Sequence, residues 1–133
     1  MNSLFAYGTL MAREVSDKII DIFSEEKAIL KNYRRFSIFH KNIRLYFPAI
    51  IPENNFAIEG ILFRNLSKEQ LQKLDQFESE LYERKKVNID TSKGQEKAWT
   101  YVWKPSAQFI LNGNWCFENF KTNEMHRFNN EEL

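Results

Sequence analysis

One stretch of the chain has the hydrophobic spacing of an amphipathic helix. In residues 71–78, the side chains of Leu71, Leu74 and Phe77 recur every three residues and share one face of a helix with ~3.6 residues per turn. Glu78 comes four residues after Leu74 and falls on the same apolar face. The pattern therefore predicts a helix whose last turn directs a carboxylate toward the protein interior.

The start of this helix is marked by side chains suited to capping. Ser67 can accept a hydrogen bond from the backbone of Gln70, whose own side chain can bond back to the Ser67 backbone. Leu66 can pack against Leu71 across the first turn. We therefore expect the helix to begin directly after Ser67.

The N-terminal part of the chain predicts one strand and one helix. Residues 3–7 form a short apolar run that breaks at Gly8, as expected of a first strand that closes in a turn. Residues 15–27 have the spacing of a second amphipathic helix, for which Ser16 is a suitable N-cap.

Most of the remaining pattern predicts strands. Residues 29–47 are rich in β-branched and aromatic side chains, and Pro48 and Pro52 interrupt the pattern in the manner of strand ends. Residues 57–63 predict a further strand. The chain is therefore expected to contain more strand than helix.

The segment after the capped helix predicts a hairpin. Residues 83–89 and 98–103 are separated by a polar segment in which Gly94 can supply the turn. Side chains alternate along a strand, so one face of the second strand carries Trp99, Tyr101 and Trp103, and the other carries Thr100 and Val102. The aromatic face is typical of a core layer, in which the tyrosine hydroxyl needs a polar partner.

Glu78 is the carboxylate with the clearest chemical potential. Burial disfavours the charged form of a carboxyl group and raises its pKa, which suits a general acid or base that works near neutral pH. The alternative is an ordinary helix-end glutamate that reaches solvent or pairs with Arg84 or Lys85. Spacing alone favours this alternative, so other residues must decide between the two.

The first predicted strand ends in a candidate binding loop, residues 7–10. Gly8 allows the backbone to bend and to approach a ligand closely. A strand that ends in such a turn can direct successive backbone N–H groups at an anion. A plain turn without a ligand is the more common interpretation of four such residues.

The order of several short motifs resembles the γ-glutamylcyclotransferase-like superfamily, and most closely its branch of γ-glutamylamine cyclotransferases and plant avirulence-induced relatives. In chain order, the motifs are Tyr7-Gly8-Thr9-Leu10, Phe47-Pro48-Ala49, Glu59-Gly60, Leu74-Asp75-Gln76-Phe77-Glu78, Tyr82-Glu83-Arg84 and Trp99-Thr100-Tyr101-Val102-Trp103. The resemblance covers residues 3–104, whereas residues 105–133 contain no motif that we can match.

This resemblance implies an α+β fold, a small mixed β-barrel with flanking helices, in one domain of residues 1–133. It implies an enzyme that cyclises a γ-glutamyl amine or γ-glutamyl amino acid to 5-oxoproline and releases the amine, with Glu78 as general acid/base. The substrate would be bound by Tyr7, Gly8, Thr9 and Leu10 and by the hydroxyl donors Tyr82 and Tyr101, which would orient Glu78 or line the pocket. The resemblance implies no cofactor.

Length and composition agree with one compact domain. The chain has 133 residues, of which 43% are hydrophobic and 15% aromatic, enough for a core without disulfides, and Cys116 is its single cysteine. A net charge of +1 argues against nucleic acid as a partner. His40 and His126 lack neighbours at metal-ligand spacing. No apolar run approaches the ~20 residues of a membrane span and no leader is visible, so we expect a cytoplasmic protein.

Two alternatives from other functional classes remain open. The first is a non-catalytic protein on the same fold that binds a γ-glutamyl compound or another small carboxylate. The second is a small β-barrel that binds single-stranded nucleic acid on exposed aromatic side chains, which the nearly neutral charge disfavours. The sequence indicates neither the leaving amine nor the oligomeric state.

Overall fold

The computed structural model describes residues 2–21 and 24–126. The strands are β1 (Asn2–Ala6), β2 (Glu25–His40), β3 (Ile43–Leu66), β4 (Tyr82–Thr91), β5 (Gly94–Trp103) and β6 (Ile110–Leu111). The helices are α1 (Arg13–Ser16), α2 (Lys68–Glu78) and α3 (Phe117–Asn119), with a 3₁₀ turn at Thr9–Met11 and a π-helical turn at Phe120–Glu124.

The first five strands close into a barrel. Their order is β3, β1, β5, β4, β2, and β2 pairs again with β3 to complete the ring, while β6 adds to β2 outside it. The β1–β5 pair is parallel and the other pairs are antiparallel. The expected fold, a small mixed β-barrel with flanking helices, is confirmed.

The interior of the barrel and its outer surface are two separate apolar layers. The interior cluster receives side chains from all five barrel strands, among them Phe5, Leu30, Ile50, Ile89 and Val102. The outer cluster packs α2 and the C-terminal segment against the barrel, through Leu71, Leu74, Trp103, Trp115 and Phe120 among others. The predicted division of β5 into two faces is confirmed, since Tyr101 and Trp103 lie in the outer cluster and Val102 in the interior one.

The prediction that prolines end strands is wrong, because β3 continues through both of them. Pro48 pairs with Ser37. The Ser37 N–H donates to the Gly113 carbonyl at 3.0 Å, and the Ser37 carbonyl accepts from the Asn112 N–H at 3.0 Å, both on the other side of β2. Proline has no backbone N–H to donate, and the Ser37 carbonyl opposite it already has a donor. Pro48 can therefore stay within the strand. Pro52 lies beside a register shift of the same ladder, where an unpaired position is tolerated.

The predicted helix over residues 15–27 is also wrong. Helix α1 ends at Ser16, and Glu25 already pairs with Phe63 of β3. Ser16 is not an N-cap, because it lies inside the last turn and its Oγ is 3.4 Å from the Ala12 carbonyl oxygen. Pairing with a strand far away in the sequence decided the conformation here, and local spacing cannot show such a partner.

The capped helix and the hairpin are confirmed. The Gln70 N–H donates to Ser67 Oγ at 3.1 Å, and the Ser67 N–H donates to Gln70 Oε1 at 2.8 Å. Leu71 and Leu74 are buried, whereas Phe77 is half-buried. Strands β4 and β5 are longer than predicted and meet at a tight turn, where Gly94 has φ 104°, a value that favours glycine.

Candidate active site

The residues that the sequence analysis selected line one pocket. The loop of residues 7–10 follows β1, Glu78 is the last residue of α2, and Tyr82 is the first residue of β4. The wall of the pocket includes Tyr7, Gly8, Thr9, Leu10, Glu78, Tyr82 and Tyr101, together with Phe47 and Pro48 of β3. Barrel closure thus brings together all seven predicted site residues.

The pocket has an inner and an outer part. The inner hollow measures about 20 Å³, room for about one water molecule. It adjoins an outer hollow of about 220 Å³, which Phe77 and Ser79 also line. Glu78 borders both hollows, so its carboxyl group lies where a molecule in the outer part would meet the loop.

Burial raises the pKa of Glu78 to about 8. Its position at the C-terminal end of α2, where the helix dipole is negative, acts in the same direction. The alternative of a paired glutamate does not hold, because Arg84 Nε lies 3.3 Å from Asp75 Oδ1 and Lys85 Nζ lies 3.9 Å from Glu83 Oε2. The carboxyl group is therefore poised to gain or lose a proton close to neutral pH.

The hydroxyls of the three tyrosines that line the inner hollow all donate to other protein groups. Tyr7 Oη donates to the Tyr101 carbonyl at 2.6 Å, Tyr82 Oη to the Pro48 carbonyl at 2.6 Å, and Tyr101 Oη to Asp75 Oδ1 at 2.7 Å. Tyr82 and Tyr101 both lie in the wall of the pocket. The expectation that they donate to Glu78 is not met, because their protons are directed elsewhere. Their oxygens remain able to accept hydrogen bonds.

The same tyrosines stay neutral near pH 7. Burial raises the pKa of Tyr7 and of Tyr82 well above the ordinary value, and the nearby Glu78 carboxyl acts in the same direction. Burial and the hydrogen bond to Asp75 raise the pKa of Tyr101 as well. The pocket therefore contains one group that titrates near neutrality, Glu78, surrounded by neutral hydroxyls.

Gly8 is needed for a reason that the sequence did not reveal. A Cβ at this position would lie only 2.9 Å from Cδ and Cγ of Pro48. Glycine therefore permits the loop to pack directly on the Pro48 ring, and the Pro48 carbonyl in turn holds Tyr82. Pro48 is therefore part of the site, whereas the sequence marked it only as a strand end and as part of a family motif.

Sequence reasoning missed two further polar residues. Asp75 lies one helical turn before Glu78 and holds both Tyr101 and Arg84, a relation that the spacing of three residues could have indicated. Arg35 of β2 donates from Nη1 to the Tyr7 carbonyl at 2.7 Å. No local signal marks Arg35, because its partner is 28 positions away in the sequence.

The described part of the chain contains no group of three His, Cys, Asp or Glu side chains that could hold a metal ion. Cys116 is exposed and unpaired with another cysteine. No helix within residues 2–21 and 24–126 is long and apolar enough to cross a membrane.

The sequence and the fold are both similar to those of known proteins. Residues 4–117 match the family described as gamma-glutamyl cyclotransferase, AIG2-like. The chain is 36% identical over 132 residues to AIG2-like protein D of Arabidopsis thaliana, which covers 96% of this chain and 84% of that relative. The chain belongs to the AIG2-like gamma-glutamyl cyclotransferase family. The family match extends past residue 104 into the C-terminal segment, for which no motif was found.

Two solved structures share the fold of this chain. A solution structure of an Arabidopsis thaliana protein superimposes with a TM-score of 0.71 at 26% identity, over 96% of this chain and 85% of that one. A structure titled gamma-glutamyl cyclotransferase superimposes with a TM-score of 0.67 at 16% identity, over 84% of this chain and 71% of that one. The second likeness establishes the fold alone. The family includes gamma-glutamyl cyclotransferases, whereas relatives of this chain carry the name AIG2-like.

Proposed function

We propose that this AIG2-like protein is a γ-glutamylcyclotransferase-type enzyme. Its substrate would be a γ-glutamyl amine or γ-glutamyl amino acid, and its products 5-oxoproline and the free amine. The observation that carries the proposal is the Glu78 carboxyl group, which has a pKa of about 8 and borders the pocket formed by the loop of residues 7–10.

The reaction is an intramolecular aminolysis. The α-amino nitrogen of the glutamyl group attacks its own γ-carbonyl carbon, so a C–N bond forms and closes a five-membered ring. Glu78 accepts a proton from the α-ammonium group, which frees the nitrogen to attack, and donates a proton to the departing nitrogen as the old C–N bond breaks. The second proton lost by the ring nitrogen leaves with the released amine, which departs as an ammonium ion. No water is consumed. Nucleophile and electrophile are already tethered, and oriented intramolecular reactions reach effective molarities of ~10⁵–10⁸ M.

The other groups of the pocket supply recognition. Backbone N–H groups of residues 7–10 would hold the α-carboxylate of the substrate and the developing oxyanion. The oxygens of Tyr7, Tyr82 and Tyr101 can accept hydrogen bonds from the α-ammonium group, because their own protons are bound to protein acceptors. An ammonium group near Glu78 also favours the carboxylate form that acts as the base.

The test is 5-oxoproline release from a panel of γ-glutamylamines and γ-glutamyl amino acids, with wild type beside E78Q. The matched control is E80Q, which removes an exposed carboxylate two residues away. We expect release by wild type and E80Q and a loss of ~10²–10⁴-fold in E78Q. Full activity in E78Q would overturn the assigned mechanism.

The same panel separates the enzyme from a binding protein. If no compound releases 5-oxoproline while a γ-glutamyl compound still raises the melting temperature, the proposed activity is wrong. The protein is then a binder of small γ-glutamyl compounds on this fold, and Glu78 is a recognition residue.

A further inference from the structure

We propose that Arg35 is a positioning residue, which orients and polarises the Tyr7–Gly8 peptide group so that the Gly8 N–H faces the pocket and binds the substrate carboxylate. This inference rests on the proposed function, because it concerns the same pocket. Arg35 is not part of the pocket wall.

The contact between Arg35 and the loop is long-range. Arg35 lies in β2 and Tyr7 follows β1, and these two strands are not neighbours in the barrel, since each pairs with β3. Arg35 Nη1 nevertheless donates to the Tyr7 carbonyl oxygen at 2.7 Å. A charged donor at this distance makes a short and strong hydrogen bond. The loop is therefore held at one defined carbonyl by a side chain from elsewhere in the fold.

The peptide group separates two spaces. Arg35 lines two grooves of about 710 and 300 Å³, neither of which Tyr7 or Gly8 lines. Tyr7 and Gly8 line the candidate active site, which Arg35 does not reach. In a planar trans peptide the carbonyl of one residue and the N–H of the next point in opposite directions. With the Tyr7 oxygen directed at Arg35, the Gly8 N–H is directed to the other side, toward the pocket.

The charge of Arg35 is not neutralised by a close partner. Within residues 2–21 and 24–126, no carboxylate lies at ion-pair distance from its guanidinium group. The Trp115 ring lies 5.4 Å from Cζ. Burial lowers the pKa of Arg35, and Cys116, Tyr7 and Glu59 act in the opposite direction. Arg35 is half-buried, so placing its charge here without a carboxylate at ion-pair distance still costs part of its hydration. A cation on the carbonyl oxygen draws electron density from the peptide and strengthens its N–H as a donor.

The test compares R35M with R34M. Methionine keeps much of the side-chain length and removes every donor. Arg34 is the matched control, because it is the adjacent residue of the same strand. Its Nη1 lies 3.6 Å from Glu53 Oε2, and it makes no hydrogen bond to the loop of residues 7–10. Affinity for 5-oxoproline, which carries the same carboxylate, is measured by NMR titration of the Gly8 amide in both variants and in wild type.

We expect the Gly8 amide proton of wild type and R34M to shift downfield on titration. In R35M the affinity should fall about tenfold or more and the Gly8 shift should disappear. For turnover, KM should rise in R35M while kcat stays close to the wild-type value, because the carboxylate is bound equally in the ground state and the transition state. A purely structural arginine would lower the melting temperature of R35M without changing affinity per folded molecule.

A conservative variant covers the case in which R35M does not fold. R35K keeps the charge, so its affinity should lie between those of wild type and R35M, with R34K as its control. Unchanged 5-oxoproline affinity and an unchanged Gly8 shift in R35M or R35K would overturn the inference. Failure of the proposed function gives a different result. Wild type would then bind 5-oxoproline, and R35M would bind it more weakly, but neither would release 5-oxoproline from any γ-glutamyl substrate.

Discussion

The two ends of helix α2 follow opposite rules. At the start, Ser67 and Gln70 bond reciprocally, and an acidic residue, Glu69, stands in the first turn, where the helix dipole favours it. At the end, Glu78 places a half-buried carboxyl group at the negative end of the same dipole, and desolvation raises its pKa. The residue after it, Ser79, has φ 69° and ψ −172°, a conformation that belongs to glycine. The start of α2 thus follows the usual capping and dipole preferences of a helix. The end, where the proposed chemistry occurs, departs from both.

The two helix ends should therefore respond differently to substitution. E78Q should lower 5-oxoproline release ~10²–10⁴-fold, because the proton carrier is lost. Its melting temperature at pH 8 should rise, because an unfavourably placed carboxylate is replaced by a neutral amide. S67A should cost ~0.5–2 kcal/mol of stability because the cap is lost, with kcat/KM per folded molecule unchanged. Activity and denaturant unfolding of both variants check this prediction. Equal losses of activity in the two variants would refute the contrast.

Loop variants sharpen the contrast between backbone and side chain. G8V should abolish measurable ligand binding. A Cβ at position 8 would lie only 2.9 Å from the Pro48 ring, so the branched valine side chain would collide with this ring and displace the loop. T9S should be nearly silent, because the loop acts through its N–H groups. Titration with 5-oxoproline and circular dichroism distinguish lost binding from lost folding. If T9S loses as much affinity as G8V, the Thr9 side chain contacts the ligand.

The raised pKa of Glu78 makes stability and activity change in opposite directions with pH. Its folded value of about 8 exceeds the ordinary value near 4.3, so the folded protein binds more protons than the unfolded chain between these pH values. Below pH ~4, Glu78 is protonated in both states and the free energy of unfolding is undiminished. The free energy of unfolding then falls as pH rises to about 8, because the unfolded chain ionises Glu78 more readily than the folded protein does. The melting temperature of E78Q relative to wild type should therefore increase from pH 5 to pH 8.

The activity of the same group should rise over this range. For wild type, kcat/KM should increase with pH and level off above about 8, as the carboxylate form of the free enzyme is populated. A flat difference in melting temperature between E78Q and wild type, or a pH profile without a break, would show that Glu78 titrates in the ordinary range.

The smallest expected effect concerns the strained residue after Glu78. S79G should raise stability by about 1 kcal/mol, because relief of ~1–3 kcal/mol of backbone strain exceeds the greater entropy loss of glycine. The Ser79 side chain makes only a long contact of 3.4 Å with the Leu81 N–H, so little is lost with it. Urea unfolding checks this prediction, and a destabilised S79G would show that the conformation is not strained.

Local chemistry made part of this protein predictable. The capped start of α2, the β4–β5 hairpin and the alternation of Trp99, Tyr101 and Trp103 depend on neighbours within a few positions, and they are found as expected. The ordered motifs of the family resemblance led to the barrel and to seven of the residues that line the pocket.

Tertiary structure decided what depends on distant partners. Residues 25–27 are strand and not helix because β2 pairs with β3 from Glu25 onward. Pro48 stays within a strand because the backbone of its partner Ser37 bonds to Asn112 and Gly113. The tyrosine protons bind carbonyl and carboxylate groups up to 94 positions away, and Arg35 reaches a carbonyl that no spacing links to it. Hydrogen bonds and burial across a closed barrel are set by the position of the strands in space, which the local pattern of the chain does not contain.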